Sequence, residues 1–132
     1  MNAVAVGMGC ERGVAVEVVW TALHQALADA GVPLSAITHI GTLDRKADEA
    51  ALQRVAADLG VPLRSFSAEQ LEQWRPWLLT PSERVYRLVG CHGVAEAAAL
   101  AAIGSGAQLL GPKWTFQRVT CAFAKSSAMS YE

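Results

Sequence analysis

The chain has 132 residues, of which 52% are hydrophobic and 17% charged, with a formal net charge of −1. This length gives one domain with a full core, and so alanine-rich a composition excludes a disordered or fibrous chain. With no run of Lys or Arg and no basic excess, a nucleic-acid-binding surface is excluded as well.

The longest apolar stretch, Val94 to Ile103, carries Glu96 and falls far short of the roughly 20 residues of a membrane span. No basic segment precedes an apolar one at the N-terminus, so neither a signal peptide nor a membrane partner is expected. Cys10, Cys91 and Cys121 are odd in number and scattered, with no C-x-x-C pair. Reduced thiols, no disulfide and a cytoplasmic location follow, with Cys121 buried in an apolar strand.

In chain order, Ala3 to Met8 reads as a buried strand that breaks at Gly7-Met8-Gly9-Cys10-Glu11-Arg12-Gly13. A helix follows over Val14 to Ala30, with Val16, Val19, Trp20, Leu23, Ala26, Leu27 and Ala30 on one face. Gly31 and Pro33 stop it. Ile37 to Ile40 forms a second strand, and Gly41-Thr42-Leu43-Asp44-Arg45-Lys46 leads into a second helix reaching Leu59, with Asp44 as its N-cap. Pro62 to Phe66 is a third strand. Ser67-Ala68-Glu69-Gln70 is a capping box that opens a short helix ending before Arg75-Pro76. Thr80-Pro81-Ser82 is a turn, and Val85 to Val89 reads as a strand.

Gly90-Cys91-His92-Gly93 then precedes an almost wholly apolar helix, Val94 to Ile103, which must be buried on most sides. Leu109-Leu110 and Val119 to Ala124 are the last strand candidates, with Gly111 to Thr115 as a loop between them. The domain is expected over residues 1–125, and residues 126–132 as a flexible tail.

Alternating strands and helices predict an α/β fold with three α/β/α layers. Its mostly parallel or mixed sheet has about five strands, with helices on both faces. Loops at the carboxyl ends of such strands gather into a ligand crevice. Gly7 to Gly13, Gly41 to Lys46 and Gly90 to Gly93 then converge, each bringing helix N–H groups to one edge. Arg12, Lys46 and Lys113 supply cations there, and Thr42 and Ser82 neutral contacts. Ligand-binding candidates are therefore Gly7, Gly9, Cys10, Arg12, Gly13, Thr42, Asp44, Lys46, Ser82, Gly90, Cys91, Gly93 and Lys113. The ligand class is a small polyanion.

Each feature has a plainer alternative. Glycines also serve tight turns, and Lys46 with Glu49 at i, i+3 suits a surface pair. The spacing Gly7-x-Gly9-x-x-x-Gly13 misses the dinucleotide fingerprint by one residue, leaving a nucleotide-binding domain as an alternative reached through Asp44. Cys91 and His92 are adjacent in a loop and point apart, so they are no nucleophile–base pair. Glu49, His92 and Glu96 are the candidates for activating a water. Trp74 and Trp77, flanking Arg75-Pro76, suit a lid or apolar wall, or an ordinary packed turn. No His or Cys spacing matches a metal site, and neither a metal nor a cofactor is expected.

Four segments and a strand together resemble the CobE/CbiG C-terminal domain family. They are Val6 to Gly13, Thr42 to Glu49, Pro81-Ser82, Gly90 to Ala98, and Lys113 with the Val119 to Ala124 strand. The resemblance covers nearly the whole chain. It implies a mixed α/β fold and a part in cobalamin (vitamin B12) biosynthesis, in the oxygen-dependent branch. It also implies a precorrin or corrinoid intermediate as ligand, and other enzymes of the pathway as partners. The longer members open the lactone formed at ring contraction and release acetaldehyde, so a precorrin lactone hydrolase is the alternative activity. A carrier or assistant to ring contraction is the first expectation.

Overall fold

A computed structural model describes residues 3–126. Eleven elements follow one another: β1 (Val4–Cys10), α1 (Val16–Ala30), β2 (Ile37–Leu43), α2 (Ala50–Leu59), β3 (Leu63–Phe66), α3 (Ala68–Glu72), α4 (Glu83–Val89), α5 (Ala95–Ile103), β4 (Ala107–Leu109), β5 (Trp114–Phe116) and β6 (Val119–Ser126). The expected tail lies outside the described residues except Ser126, which ends β6.

The sheet is mixed and six-stranded, in the order β3-β2-β1-β6-β4, with β5 paired to β6 as well. β1, β2 and β3 are parallel, as the two strand–helix units require. β6 runs antiparallel beside β1, with Cys10 opposite Val119. The expected three layers are present. Val4, Val6, Met8 and Cys10 of β1 pack with α1 and α2, through Leu23, Leu27, Leu52 and Val55 among others. Ala5 on the opposite face packs with Leu71 of α3 and Ala97, Ala98 and Ala102 of α5.

On that second face the packing is backbone against backbone. A Cβ placed on Gly7 would lie 1.8 Å from the Ala95 carbonyl oxygen, and one on Gly41 would lie 2.6 Å from that of Ala98. These glycines are therefore strand residues beneath α5 and not loop residues. The alanines of α5 complete the fit, and Ala95 to Ala99 with Leu100 and Ala102 are all buried.

The structure departs from the sequence reading in several places. Val85 to Val89 is not a strand; Glu83–Val89 is a helix, whose first turn is capped by Ser82 Oγ accepting the Val85 N–H at 3.2 Å. Val85, Leu88 and Val89 stand at i, i+3 and i+4, a helical spacing that their β-branched content masked. Asp44 is not the cap of α2. It begins a 3₁₀ turn, Asp44–Lys46, and α2 starts only at Ala50 with Glu49 at the N-cap position. Trp114 and Thr115, expected in a loop, belong to β5. The capping box at Ser67 and Gln70 is present as read, with both of its hydrogen bonds. Among the described residues, no helix is long and apolar enough to cross a membrane.

The contact beneath α5 generates the first prediction. Gly7→Ala forces the added methyl into a carbonyl oxygen that cannot move without α5, and should destabilise the fold by about 3 kcal/mol or more, the top of the usual overpacking range. Gly9→Ala, whose Cβ would meet only Val94 Cγ1 at 3.6 Å, should change stability little. Urea unfolding of the two variants checks this, and equal midpoints would refute the close packing.

Candidate functional site

A crevice of about 560 Å³ opens at the carboxyl ends of β1 and β2. Five segments wall it: Gly9 to Glu11 at the end of β1; Leu43 and Lys46 after β2; Ser82 and α4; Gly93 to Ala95 at the start of α5; and the β5–β6 hairpin with Lys113, Gln117 and Arg118. Of the residues expected there, Gly9, Cys10, Lys46, Ser82, Gly93 and Lys113 line it. The structure brings these six together.

The others lie elsewhere. Gly7 is covered by α5. Thr42 is fully buried and donates its hydroxyl to the Met8 carbonyl at 2.7 Å, tying β2 to β1. Asp44 is exposed on the 3₁₀ turn, Gly90 ends α4, and Cys91 is wholly buried. Arg12 stands on the same edge but is engaged. Its Nη1 lies 2.8 Å from Asp48 Oδ1, and its Nη2 donates to the Arg45 carbonyl. The Gly13 N–H donates to Glu49 Oε2 at 3.1 Å. Together these contacts brace the turn after β1 against the segment before α2. The alternative Lys46–Glu49 surface pair is not formed: Glu49 is buried and Lys46 faces the crevice.

The crevice walls are apolar and cationic. Leu43, Val85, Leu88, Val89, Val94 and Ala95 give apolar surface, and Leu88 is 65% exposed there. Lys46, Arg84 and Lys113 have no ion-pair partner among the described residues, whereas Arg118 lies 3.7 Å from Glu11. Cations that form no ion pair are favourably met by an anionic ligand. Sequence reasoning missed Arg84 and Arg118. The Ser82-x-x-Val85 cap with its i, i+3, i+4 apolar set was the signal for Arg84. Arg118 had none, because the hairpin turn places Gln117 at a positive φ of 52° with no glycine to mark it.

The three candidates for water activation are in different situations. Glu96, buried at the first turn of α5, accepts from the backbone N–H groups of Leu79, Thr80 and Lys113 and from the Thr80 hydroxyl. His92 has both ring nitrogens against carboxylates, Nδ1 at 2.6 Å from Glu72 and Nε2 at 3.1 Å from Glu83. None of the three, Glu49 included, lines the crevice. Glu49 alone of the three keeps a buried oxygen, Oε1, with no hydrogen-bond partner, 3.8 Å from Arg12.

All three cysteines are buried free thiols. Burial raises the Cys10 thiol above its ordinary value, as does the nearby Glu49 charge, with Lys46 and Arg12 opposing. Cys91 is likewise raised by burial, and Cys121 is pushed up to about 12. These thiols are protonated and unreactive. Trp74 and Trp77 pack against each other at 5.6 Å and do not line the crevice. Among the described residues, no group of three or more His, Cys, Asp and Glu comes together as metal ligands.

Comparison with known proteins agrees with this architecture. Residues 4–124 match the family model described as cobalamin synthesis G C-terminus. The chain is 38% identical over 126 residues to Protein CobE of Sinorhizobium sp, covering 96% of this chain and 82% of that one. It is 31% identical over 106 residues to a cobalt-precorrin-5A hydrolase of Priestia megaterium, covering 80% of this chain but only 27% of the hydrolase. The crystal structure of CobE, a protein from the cobalamin (vitamin B12) biosynthetic pathway, superposes with a TM-score of 0.87 at 35% identity, covering 94% of this chain and 90% of that one. The chain belongs to the cobalamin synthesis G C-terminal family and is a cobalamin-biosynthesis protein of the CobE/CbiG kind.

The engaged state of Arg12 has a measurable consequence. Its hydrogen bond and charge hold the Asp48 carboxyl below the usual carboxylate range. A carboxyl depressed in the folded state stabilises above its unfolded value, about 4, and loses that contribution as pH falls through the lower folded value. Both groups are exposed, so the effect on stability is small. Arg12→Ala should raise the Asp48 titration toward the ordinary range, as read by side-chain NMR. An unmoved titration would mean that the pair does not form.

Proposed function

From this family membership we propose that the chain binds a polycarboxylate precorrin or corrinoid intermediate in the crevice, as a carrier or assistant to ring contraction in the oxygen-dependent branch. Such a ligand is a broad apolar macrocycle rimmed with acetate and propionate groups. The observation that carries the reading is the pairing of apolar walls with Lys46, Arg84 and Lys113, cations that form no ion pair among the described residues. Macrocycle faces lie on Leu88, Val89 and Val94 while rim carboxylates meet the cations. The crevice volume lies within the range of small-molecule sites, and its open mouth suits a ligand that is passed on to other enzymes of the pathway.

The test is a visible-absorption titration with hydrogenobyrinic acid, run beside a panel of nucleotides. A charge-assisted contact contributes about 1.5–3 kcal/mol, so Lys46→Ala, Arg84→Ala and Lys113→Ala should each weaken binding roughly ten- to a hundred-fold. Arg12→Ala should cost less, because its guanidinium is already engaged by Asp48. Rising salt should weaken the wild type. Unaltered affinity in all three variants, or binding of a nucleotide in place of the corrinoid, would overturn the reading.

A second reading, hydrolysis of a precorrin lactone, is favoured by the likeness to a protein named as a cobalt-precorrin-5A hydrolase. In this chain Glu49 is its leading residue, because Oε1 is buried without a hydrogen-bond partner. Acetaldehyde release that disappears in Glu49→Gln would establish that activity. Binding without release supports the carrier.

A further inference from the structure

α4 supplies Arg84, Val85 and Leu88 to the crevice, yet none of its own residues is buried. Val89, at its end, packs half-buried against the core, so the first turn and the middle of the helix are held by other contacts. His92, only 5% exposed, lies behind it. The Nε2 atom of His92 faces Glu83 Oε2 at 3.1 Å, in the first turn of α4. Its ring stacks on Tyr86 with centroids 4.3 Å apart, and its carbonyl accepts the Ser82 N–H at 2.8 Å. On the other side, Glu72 at the end of α3 receives the His92 backbone N–H at 2.8 Å and faces Nδ1 at 2.6 Å.

One buried residue thus joins α3 to the cap, the first turn and the middle of α4. Each ring nitrogen faces a carboxylate oxygen, Nδ1 toward α3 and Nε2 toward α4. Arg75 also stands here, its Nη2 3.9 Å from the same Glu83 oxygen.

We infer that His92 is a positioning residue of the binding site, a hydrogen-bonding and stacking clamp through Glu83, Tyr86 and Glu72 that sets α4 as the outer wall of the crevice. The inference rests on the reading of the crevice as the ligand site. His92 does not line the crevice itself; it acts through Ser82, whose N–H it accepts, and through the helix that carries Arg84, Val85 and Leu88. An exposed ion pair alone would contribute little. Here one partner is buried and held on its far side, so the geometry of the clamp is fixed before α4 meets it.

Two measurements on the full chain test the clamp. Amide exchange by mass spectrometry follows residues 83–90 in the free protein, and absorption titration with hydrogenobyrinic acid follows the crevice. His92→Gln and the surface change Glu83→Gln should each speed exchange over 83–90 about tenfold or more, with α5 unchanged. The double variant should be no faster than the faster single one, because both remove one interaction. Arg75→Gln should stay within about twofold of wild type. Hydrogenobyrinic acid affinity should fall about tenfold in His92→Gln and Glu83→Gln, although neither residue lines the crevice.

Exchange in Glu83→Gln equal to wild type, or an equal effect of Arg75→Gln, would overturn the clamp. Faster exchange with intact affinity would overturn its positioning role. A wild type that takes up no hydrogenobyrinic acid would overturn the crevice reading, and the exchange data would still decide the clamp.

Discussion

Helix α5 meets the sheet backbone to backbone at two points, because Gly7 and Gly41 leave its Ala95 and Ala98 carbonyls nothing to clash with. The other walls of the crevice depend on that contact. It fixes the first turn of α5, and with it Gly93 to Ala95 at the crevice floor. The same turn carries Glu96, whose carboxylate sits favourably at the positive end of the helix dipole. Through Glu96 the helix holds two distant stretches of backbone, at Leu79-Thr80 and at Lys113. A buried carboxylate with this many donors is a structural anchor: without it, the N–H groups of Leu79, Thr80 and Lys113 would lose their partner together. Lys113 reaches the crevice because its own backbone is tied to α5.

The cations of this edge divide into two kinds, and the division follows from their neighbours. The Arg12 guanidinium has a forked donor set, which Asp48 and the Arg45 carbonyl fill from two directions. Such a group braces structure. Lys46, Arg84 and Lys113 sit on walls whose other members are mostly apolar, so their charge is directed toward whatever enters. Low-polarity surroundings strengthen each attraction and make neutralisation by water less complete. Residues that looked equivalent in the sequence therefore serve different ends.

What the sequence made legible was what local rules determine. Hydrophobic period, stop signals and the Ser67–Gln70 box marked β1, α1, β2, β3 and α3, and the apolar run from Val94 announced a helix buried on most sides. The parallel half of the sheet followed from those units. Where local preference and tertiary context disagree, the reading went astray. Val85, Tyr86 and Val89 favour a strand in isolation, and only the cap at Ser82 and the end at Gly90 make the segment helical. Gly7 and Gly41 read as loop glycines because nothing local reveals that a helix will lie on them. Arg12 read as a ligand contact because Asp48 is 36 residues away in sequence, beyond any local rule.

The mixed topology explains why a fifth wall exists at all. Were β6 parallel to β1, its far end would reach this edge of the sheet and its connections would leave on the opposite side. Because it runs antiparallel, Val119 sits opposite Cys10, and the turn joining β5 to β6 projects over the carboxyl end of β1. Lys113, Gln117 and Arg118 enter the crevice by that route. The site is thus assembled from segments that begin at Gly9 and finish at Thr120, and the family match over residues 4–124 contains them all. No shorter piece of this fold holds the apolar floor and the cations in one place, so the crevice is a property of the whole domain.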